Sequence, residues 1–328
     1  MSDAAAHTRG FTYVELLLAL TIAALLVAGL SGVVGQALQI HEVTHQTNEL
    51  SRQAGFAMQR MVRAVSHSRH LLLPLSDNSN TNWPENVREE TLPASPPIGD
   101  STLATAVLAV SLPATVDQNV DGVPDADNDG DGLIDEDLHA DNNFDGAPGI
   151  ALIDDNGDGS VDDSAAADPL SDNDEDDVAT DESLNGLDDD GDGNIDEDLK
   201  SDQNDDGQSG VMGVDDDGDG NVDEANKNDD DEDGLSDEDW YDSLVFYLES
   251  GVLKERMPVP WDTNGDSMVT GGDFVINTIA EHVTRFRVER ILQSNQRSQL
   301  VDLTLELTSP LGGEVISLQT QVRLGGAL

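Results

Sequence analysis

Gly10-Phe11-Thr12-Tyr13-Val14-Glu15, running into an uncharged apolar stretch over residues 16–34, sets the beginning of the fold. As a helix those 19 residues span ~28 Å at ~1.5 Å per residue, close to one bilayer core. The segment in front of them, MSDAAAHTRG, is polar and ends in Arg9-Gly10. A secretory signal peptide has the opposite order: a shorter apolar region with a small-residue cleavage site behind it. Arg9 predicts a cytoplasmic N-terminus, with everything beyond Val34 exported. Glu15 is the anomaly. A carboxylate in a membrane helix costs up to ~2.5–3.5 kcal/mol, less near the interface, and so asks for a partner.

The block resembles the amino terminus of type IV pilins and pseudopilins, where Gly is followed by Phe-Thr-Leu-Ile/Val-Glu and a long apolar run. Gly10, Phe11, Thr12, Val14 and Glu15 match, and Tyr13 stands where Leu is usual. The resemblance implies that a prepilin peptidase cuts after Gly10, removing residues 1–10 as a leader, and N-methylates Phe11. The new amine of Phe11 would then lie one turn from Glu15 and pair with it, aided by the positive end of the helix dipole. In a filament, a neighbouring subunit's amine would do the same and set the axial register. Ala24, Ala28 and Gly32, at four-residue spacing, permit close helix approach.

The helix is expected to continue past the bilayer. Ile40, Val43, Leu50, Ala54, Ala57, Met61 and Val65 recur at three-, four- or seven-residue steps, which predicts one apolar stripe from near residue 12 to near 68. A transmembrane and stalk segment is therefore assigned to residues 11–70. His41-Glu42-Val43-Thr44-His45 matches the H-E-x-x-H pattern of zinc proteases. On an exposed stalk it has no cleft to exclude water, so no enzyme is expected.

The formal net charge is −53, and 48 of the 68 acidic residues fall in residues 117–239, against two lysines, Lys200 and Lys227. A mildly acidic chain has received a polyanionic insert, which repels nucleic acid and invites cations. There is no cysteine. An exported domain without disulfides needs another staple, and metal is the candidate.

The insert, assigned to residues 116–240, repeats the phrase D-x-D/N-x-D-G-x-x-D. It reads DNDGDGLIDED from Asp127, DDNGDGSVDD from Asp154, DDDGDGNIDED from Asp188, DDDGDGNVDEA from Asp215 and DDDEDGLSDED from Asp229. Weaker copies begin at Asp117, Asp141, Asp172 and Asp202. Carboxylates at positions one, three and five converge on one point if the chain turns sharply at position six, where glycine tolerates positive φ. The candidate ligands are Asp127, Asp129 and Asp131; Asp154, Asn156 and Asp158; Asp188, Asp190 and Asp192; Asp215, Asp217 and Asp219; and Asp229, Asp231 and Asp233. Position nine adds Asp135, Asp162, Asp196, Asp223 and Asp237. Position eight is Ile134, Val161, Ile195 or Val222 in four of the five copies, an apolar residue a solvated linker would not need. A further copy, residues 262–273, lies outside the insert. It offers Asp262, Asn264, Asp266 and, at position twelve, Asp273, with Ser267 in place of glycine. The array resembles thrombospondin type 3 repeats and dockerin loops, which implies several Ca2+ ions. Apart from Asp273 the usual Glu at position twelve has no counterpart, so modest affinity is expected. Without calcium the insert is expected to be expanded, and to collapse when the ion binds.

Apolar or alternating runs flank the insert at 105–112, 243–248, 252–255, 283–292, 300–307 and 314–324. Glu249-Ser250-Gly251 and Ser309-Pro310-Leu311-Gly312-Gly313 read as hairpin turns. The expected fold is α+β: a long N-terminal helix covering one face of an antiparallel sheet, with the insert growing between its first two strands. Residues 71–115 serve as connection and first strand, and 241–328 as the rest of the sheet. The order of the hairpin from Tyr247 to Leu253, the segment from Ile279 to Val283 and two last strands resembles minor pilin W and the type II secretion minor pseudopilin J. These resemblances imply a non-catalytic subunit that primes or caps a type IV pilus or a type II secretion pseudopilus. Its implied partners are other minor pilins or pseudopilins, the major pilin, the prepilin peptidase and the inner-membrane assembly platform. Its implied location is the inner membrane, single-pass, with the C-terminal domain periplasmic before assembly. A calcium-dependent adhesin displayed on such a filament is the alternative.

Overall fold

The computed structural model describes residues 12–77, 81, 83–92, 106–180, 182–184, 186–216, 219–224, 226–232, 234–291, 300–310 and 313–325. Contacts divide the chain into two units, Met1–Glu49 and Leu50–Leu328.

The first unit is the beginning of α1 (Tyr13–His67), a helix long and apolar enough by length and composition to cross a membrane. Thr12 caps it. The Thr12 N–H and hydroxyl both donate to Glu15 Oε2 at 2.9 Å, and the Glu15 N–H donates to Thr12 Oγ1 at 3.4 Å. That is a reciprocal capping box, Thr-x-x-Glu. Phe11, the expected partner of Glu15, lies outside the described residues, as does Gly10. Glu15 is thus a helix cap, a role written in Thr12-x-x-Glu15 beside the charge pairing expected of it. Ile40 is 67% exposed, so the expected stripe does not begin there, and His41, Glu42 and His45 are exposed as well.

In the second unit the stripe is real from Leu50 onward: Leu50, Ala54, Ala57, Met58, Met61, Ala64 and Val65 are buried. Among the described residues nine strands accompany it: β1 (Leu71–Leu73), β2 (Val87–Thr91), β3 (Val107–Ser111), β4 (Ser243–Glu249), β5 (Val252–Pro258), β6 (Phe274–Ala280), β7 (Val283–Ile291), β8 (Leu300–Thr308) and β9 (Val315–Arg323). They form two antiparallel sheets and not one, in the orders β1-β3-β4-β5-β6 and β2-β7-β8-β9. After β6 the chain passes to the second sheet at Glu281-His282, where His282 takes φ 60°. The class is α+β, as expected.

One core joins α1 to a face of each sheet, with Leu108, Phe246 and Leu253 from the first and Phe286, Leu303 and Leu305 from the second. β4 and β5 are joined by the expected tight turn, Ser250 at φ 52° and Gly251 at φ 81°, the paired left-handed conformation that matches strand twist. Strand β2, VREET, carries no apolar alternation and so gives no strand signal in the sequence. It is an edge strand held by charge: Glu89 pairs with Arg285 at 2.7 Å and Arg287 at 3.4 Å on β7.

Arg60 on α1 forks onto Glu255 of β5, with Nε to Oε1 at 2.6 Å and Nη2 to Oε2 at 3.1 Å. Glu255 is 1% exposed, so without Arg60 its charge is stranded. Arg60→Ala is expected to destabilise this unit by ~3 kcal/mol, since removing one partner leaves a buried charge unpaired. Denaturant unfolding measures it; a loss below ~0.5 kcal/mol would show that water reaches Glu255.

The insert does not leave between the first two strands, because β1 and β2 precede it. It joins β3 to β4, which are hairpin neighbours: Ser111 pairs with Ser243, and the Leu112 N–H donates to the Asp242 carbonyl at 2.8 Å. A loop of any length can grow there, because its ends are already together. Nor is it a bare linker. Ile150 and Ile153 pack with Leu73, Leu75, Val107, Ala109 and Val245 on the second face of the first sheet. This explains why every residue of β3 is buried, a run with no polar face. Arginines complete the docking by donating to insert carbonyls: Arg88 to Asp155 (2.8 Å) and Asp154, Arg69 to Ile134 (2.8 Å), and Arg256 to Ala151 (2.6 Å).

Candidate metal centres of the acidic insert

Each repeat folds by the same local rule. In the loop from Asp127, the Gly130 N–H donates to Asp127 Oδ1 at 2.7 Å, Asp131 N–H to Asp129 Oδ1 at 3.0 Å, and Leu133 N–H to Asp131 Oδ1 at 2.6 Å. The loop from Asp154 repeats these contacts on Asp154, Asn156 and Asp158 at 2.7, 2.8 and 2.7 Å. That from Asp188 repeats them on Asp188, Asp190 and Asp192 at 2.6, 2.9 and 2.7 Å. The outlying loop does so on Asp262, Asn264 and Asp266 at 2.5, 2.9 and 2.8 Å. In the later loops Asp215 and Asp229 accept from Gly220 at 3.1 Å and Gly234 at 3.0 Å, and Asp219 accepts from Asn221 at 2.8 Å. Backbone amides thereby fix each side chain, Asp154 and Asp262 by both oxygens. Asp217 and Asp233 lie outside the described residues.

Asp127, Asp129 and Asp131 offer oxygens within 4.8 Å of one another. So many like charges at this range repel unless protons or a cation intervene.

Position six takes left-handed backbone throughout, from Gly132 at φ 102° to Ser267 at φ 75°. A serine there is strained by ~1–2 kcal/mol. Ser267→Gly is expected to stabilise the chain by ~1 kcal/mol, offset by glycine's greater freedom when unfolded. Thermal melting in calcium tests it, and a lowered midpoint would contradict it.

The position-nine residues do something other than expected from spacing alone. Asp135, Asp162, Asp196, Asp223 and Asp237 all have φ between 51° and 60°. Three of them reach back ten residues to close the preceding turn: Asp162 accepts from Leu152 N–H at 2.6 Å, Asp196 from Gly186 at 2.9 Å and Asp223 from Gly213 at 2.8 Å. Asp273 is likewise engaged with its own loop. It accepts from Thr263 N–H and hydroxyl at 2.6 and 2.9 Å and from Thr270 N–H at 3.1 Å. Burial raises its pKa, but those hydrogen bonds outweigh burial and hold the carboxyl below its ordinary value.

A second device goes beyond the repeat phrase. The amides of positions two and nine in one loop converge on a single acid from outside it. Asn128 and Asp135 donate to Asp239 at 3.2 and 2.7 Å, and Asp230 and Asp237 to Asp137 at 3.4 and 3.0 Å. Asp189 and Asp196 donate to Glu182 at 2.6 and 3.1 Å, and Asp216 and Asp223 to Glu232 at 2.7 and 2.8 Å. Asp137 and Asp239 are position eleven of the first and last strong copies, and each clamps the other's loop. The signal for these two is the acidic tail D-E-D of both copies.

A group of four carboxylates falls on one of the weaker copies. Asp172, Asp174 and Asp176 meet Asp198, four oxygens within 4.8 Å, three of the residues buried. This loop lacks the glycine of position six; Asp177 takes the turn at φ 76°. Further groups also join different loops: Asp131 with Glu136 and Asp231, Asp137 with Asp231 and Glu238, and Asp174 with Asp192 and Glu197. Position eight is mixed, with Ile134 buried in the core and Val222 47% exposed.

Burial and neighbouring acids push these carboxyls up. Asp135 rises to about 8 through burial and Asp239, Asp230 to about 8 through burial and Asp137, and Asp141 to about 7 through burial and Asp145. Glu175 and Glu197 reach about 10, chiefly by burial, with Asp155 and Asp192 respectively adding to it. Oδ1 of Asp141, of Asp202 and of Asp215 is buried without a hydrogen bond. All-oxygen, crowded and under-neutralised, the clusters suit a hard divalent cation. No known protein family, curated protein or solved structure matches the chain.

Proposed function

We propose that the chain is a minor pilin or pseudopilin, a non-catalytic subunit that primes or caps a type IV pilus or type II secretion pseudopilus and is stabilised by Ca2+. The observation that carries this reading is the block from Gly10 to Glu15 set directly before a single apolar helix, α1, whose later turns pack in an α+β domain. The apolar run gives the chain a single pass of the inner membrane, with its folded part outside the cytoplasm. Its partners are other minor pilins or pseudopilins, the major pilin, the prepilin peptidase and the assembly platform. The insert would crowd lateral contacts in a filament, which favours a tip or low-copy position. Calcium suits the loops because their ligands are carboxylate, amide and carbonyl oxygens in flexible, many-membered groups.

The test is the mass of the membrane-extracted chain. Loss of residues 1–10 and one added methyl group on Phe11 are expected. A chain that keeps Met1, or is cut behind residue 34, would overturn the reading. A clean deletion then separates the machines: lost pili with intact exoprotein secretion mark a minor pilin, and the reverse marks a pseudopilin.

The adhesin reading has one observation in its favour. Val211, Met212 and Val214, consecutive apolar residues but for Gly213, are 45–57% exposed on the insert.

A further inference from the structure

Between the insert and the edge of the first sheet lies a cavity of about 90 Å³, walled by Leu71, Leu72 and Leu75 on one side and by insert loops on the other. That is room for more than one water-sized occupant. Asp155, Asp174, Asp196 and Glu197 line it, against the single guanidinium of Arg290.

Three oxygens converge beside it, from Asp174 and Glu197, which line it, and from Asp192, all within 4.8 Å of one another. They come from two loops: Asp174 is position three of the copy from Asp172, and Asp192 is position five of the copy from Asp188. Glu197 belongs to no ligand position of either. The Asn194 side-chain amide donates to Asp174 at 3.2 Å and Asp192 at 2.6 Å. A neutral amide bridges two of the carboxylates but leaves their charge in place.

Independent observations point to a ligand at this place. Asn142 is 5% exposed and Asp155 1% exposed; both line the cavity, and Oδ1 of each is buried without a hydrogen bond. Oε2 of Glu197 is in the same condition. Leaving several such oxygens bare in one small space is costly, because each has given up water without gaining a partner.

We propose that a divalent cation, Ca2+ by its all-oxygen donors, binds at the margin of this cavity, held between two loops by Asp174, Asp192 and Glu197, with the Asn142 side-chain oxygen as a neutral donor. The site is additional to the ions inside the loops, and the identity of its ion rests on the calcium reading of the insert. Because the cavity's other wall is the edge of the first sheet, occupancy ties the insert to the sheet as well as one loop to the next.

The test is the number of calcium ions bound per full-length chain in detergent, by equilibrium dialysis, with circular dichroism as the check on folding. Glu197→Gln is expected to bind one ion fewer than wild type. Asp266→Asn, in the outlying loop, is expected to lose a different ion, so the double variant binds two fewer. An unchanged count in folded Glu197→Gln would overturn this site alone, whereas a wild-type chain that binds no calcium would remove the loop reading itself. Should Glu197→Gln fail to fold at saturating calcium, Asn142→Asp decides. One ion held at least ten-fold more tightly is expected from the added charge, and unchanged binding would overturn the site.

Discussion

Chelating calcium at pH 8 is expected to open the insert: proteases then cut first within residues 117–239, before they reach the strands from β4 to β9. At that pH the loops hold more negative charge than their few cations answer. The acids of positions one, three and five sit within 4.8 Å of one another at Asp127, Asp129 and Asp131, and only backbone amides oppose their repulsion. Each ion removed forfeits ~2.7 kcal/mol if calcium stood at a hundred times its Kd. Acid should partly replace the metal. A carboxyl whose folded pKa is raised binds its proton more readily folded than unfolded. In the chelated chain, that contribution is full below the unfolded value of ~4. It is lost as pH rises through about 6 for Asp137, about 7 for Asp141 and about 8 for Asp135 and Asp230. A tenfold difference in proton affinity between folded and unfolded chain is worth ~1.4 kcal/mol, less where water screens the carboxyl. The chelated protein is therefore expected to melt higher at pH 5 than at pH 8. With saturating calcium the order reverses, because protons then compete with the ion for the same oxygens. Identical protease patterns and melting curves with chelator and with millimolar calcium would sink this account.

Much of this is legible in the sequence where a local rule is at work. Period 3.6 marks α1 from Leu50, the turn at Ser250-Gly251 is readable from its residues, and loop spacing brings Asp127, Asp129 and Asp131 together. Where the controlling interaction is tertiary, the sequence is silent. Glu182 and Glu232 are clamps only because two amides from another loop arrive at them, and nothing in composition separates them from the acids around them. Strand β2 is set by its pairing along β7, where Arg285 and Arg287 meet Glu89. The copy from Asp172 reads as weak for want of a glycine, yet aspartate tolerates the left-handed turn better than most residues. The low aromatic content suggests an insert with little core; Ile150, Ile153, Leu138, Leu199 and Tyr241 give it one.

That core makes plain excision of residues 117–239 a severe change, despite favourable geometry at the cut. Ser111 and Ser243 are already paired, so a short polar turn would close the hairpin at little entropic cost. What the excision removes is the cover of a whole sheet face. Val107, Ala109 and Val245 are 0% exposed and Leu73 1% exposed, with Ile150 and Ile153 of the insert packed over them. Uncovering two valines and a leucine forfeits roughly 1.5–3 kcal/mol apiece. The total of roughly 4.5–9 kcal/mol approaches the whole stability of an ordinary domain. The excised chain is expected to aggregate or be degraded, and Val107→Thr with Val245→Thr in the excised chain is expected to restore part of the soluble yield by making that face wettable. Arg88 and Arg256 lose their carbonyl acceptors in the same cut, but water then solvates them, so they add little to the loss. A plainly excised chain as soluble and as heat-resistant as the calcium-loaded parent would show that the insert is a dispensable head. If excision does collapse the domain, loss of adhesion on excision says nothing about a binding surface. The adhesin reading has then to be tested by Val211→Ser with Met212→Ser, which leaves the covered face intact: lost adhesion with calcium-dependent melting unchanged supports it, and unchanged adhesion removes that surface.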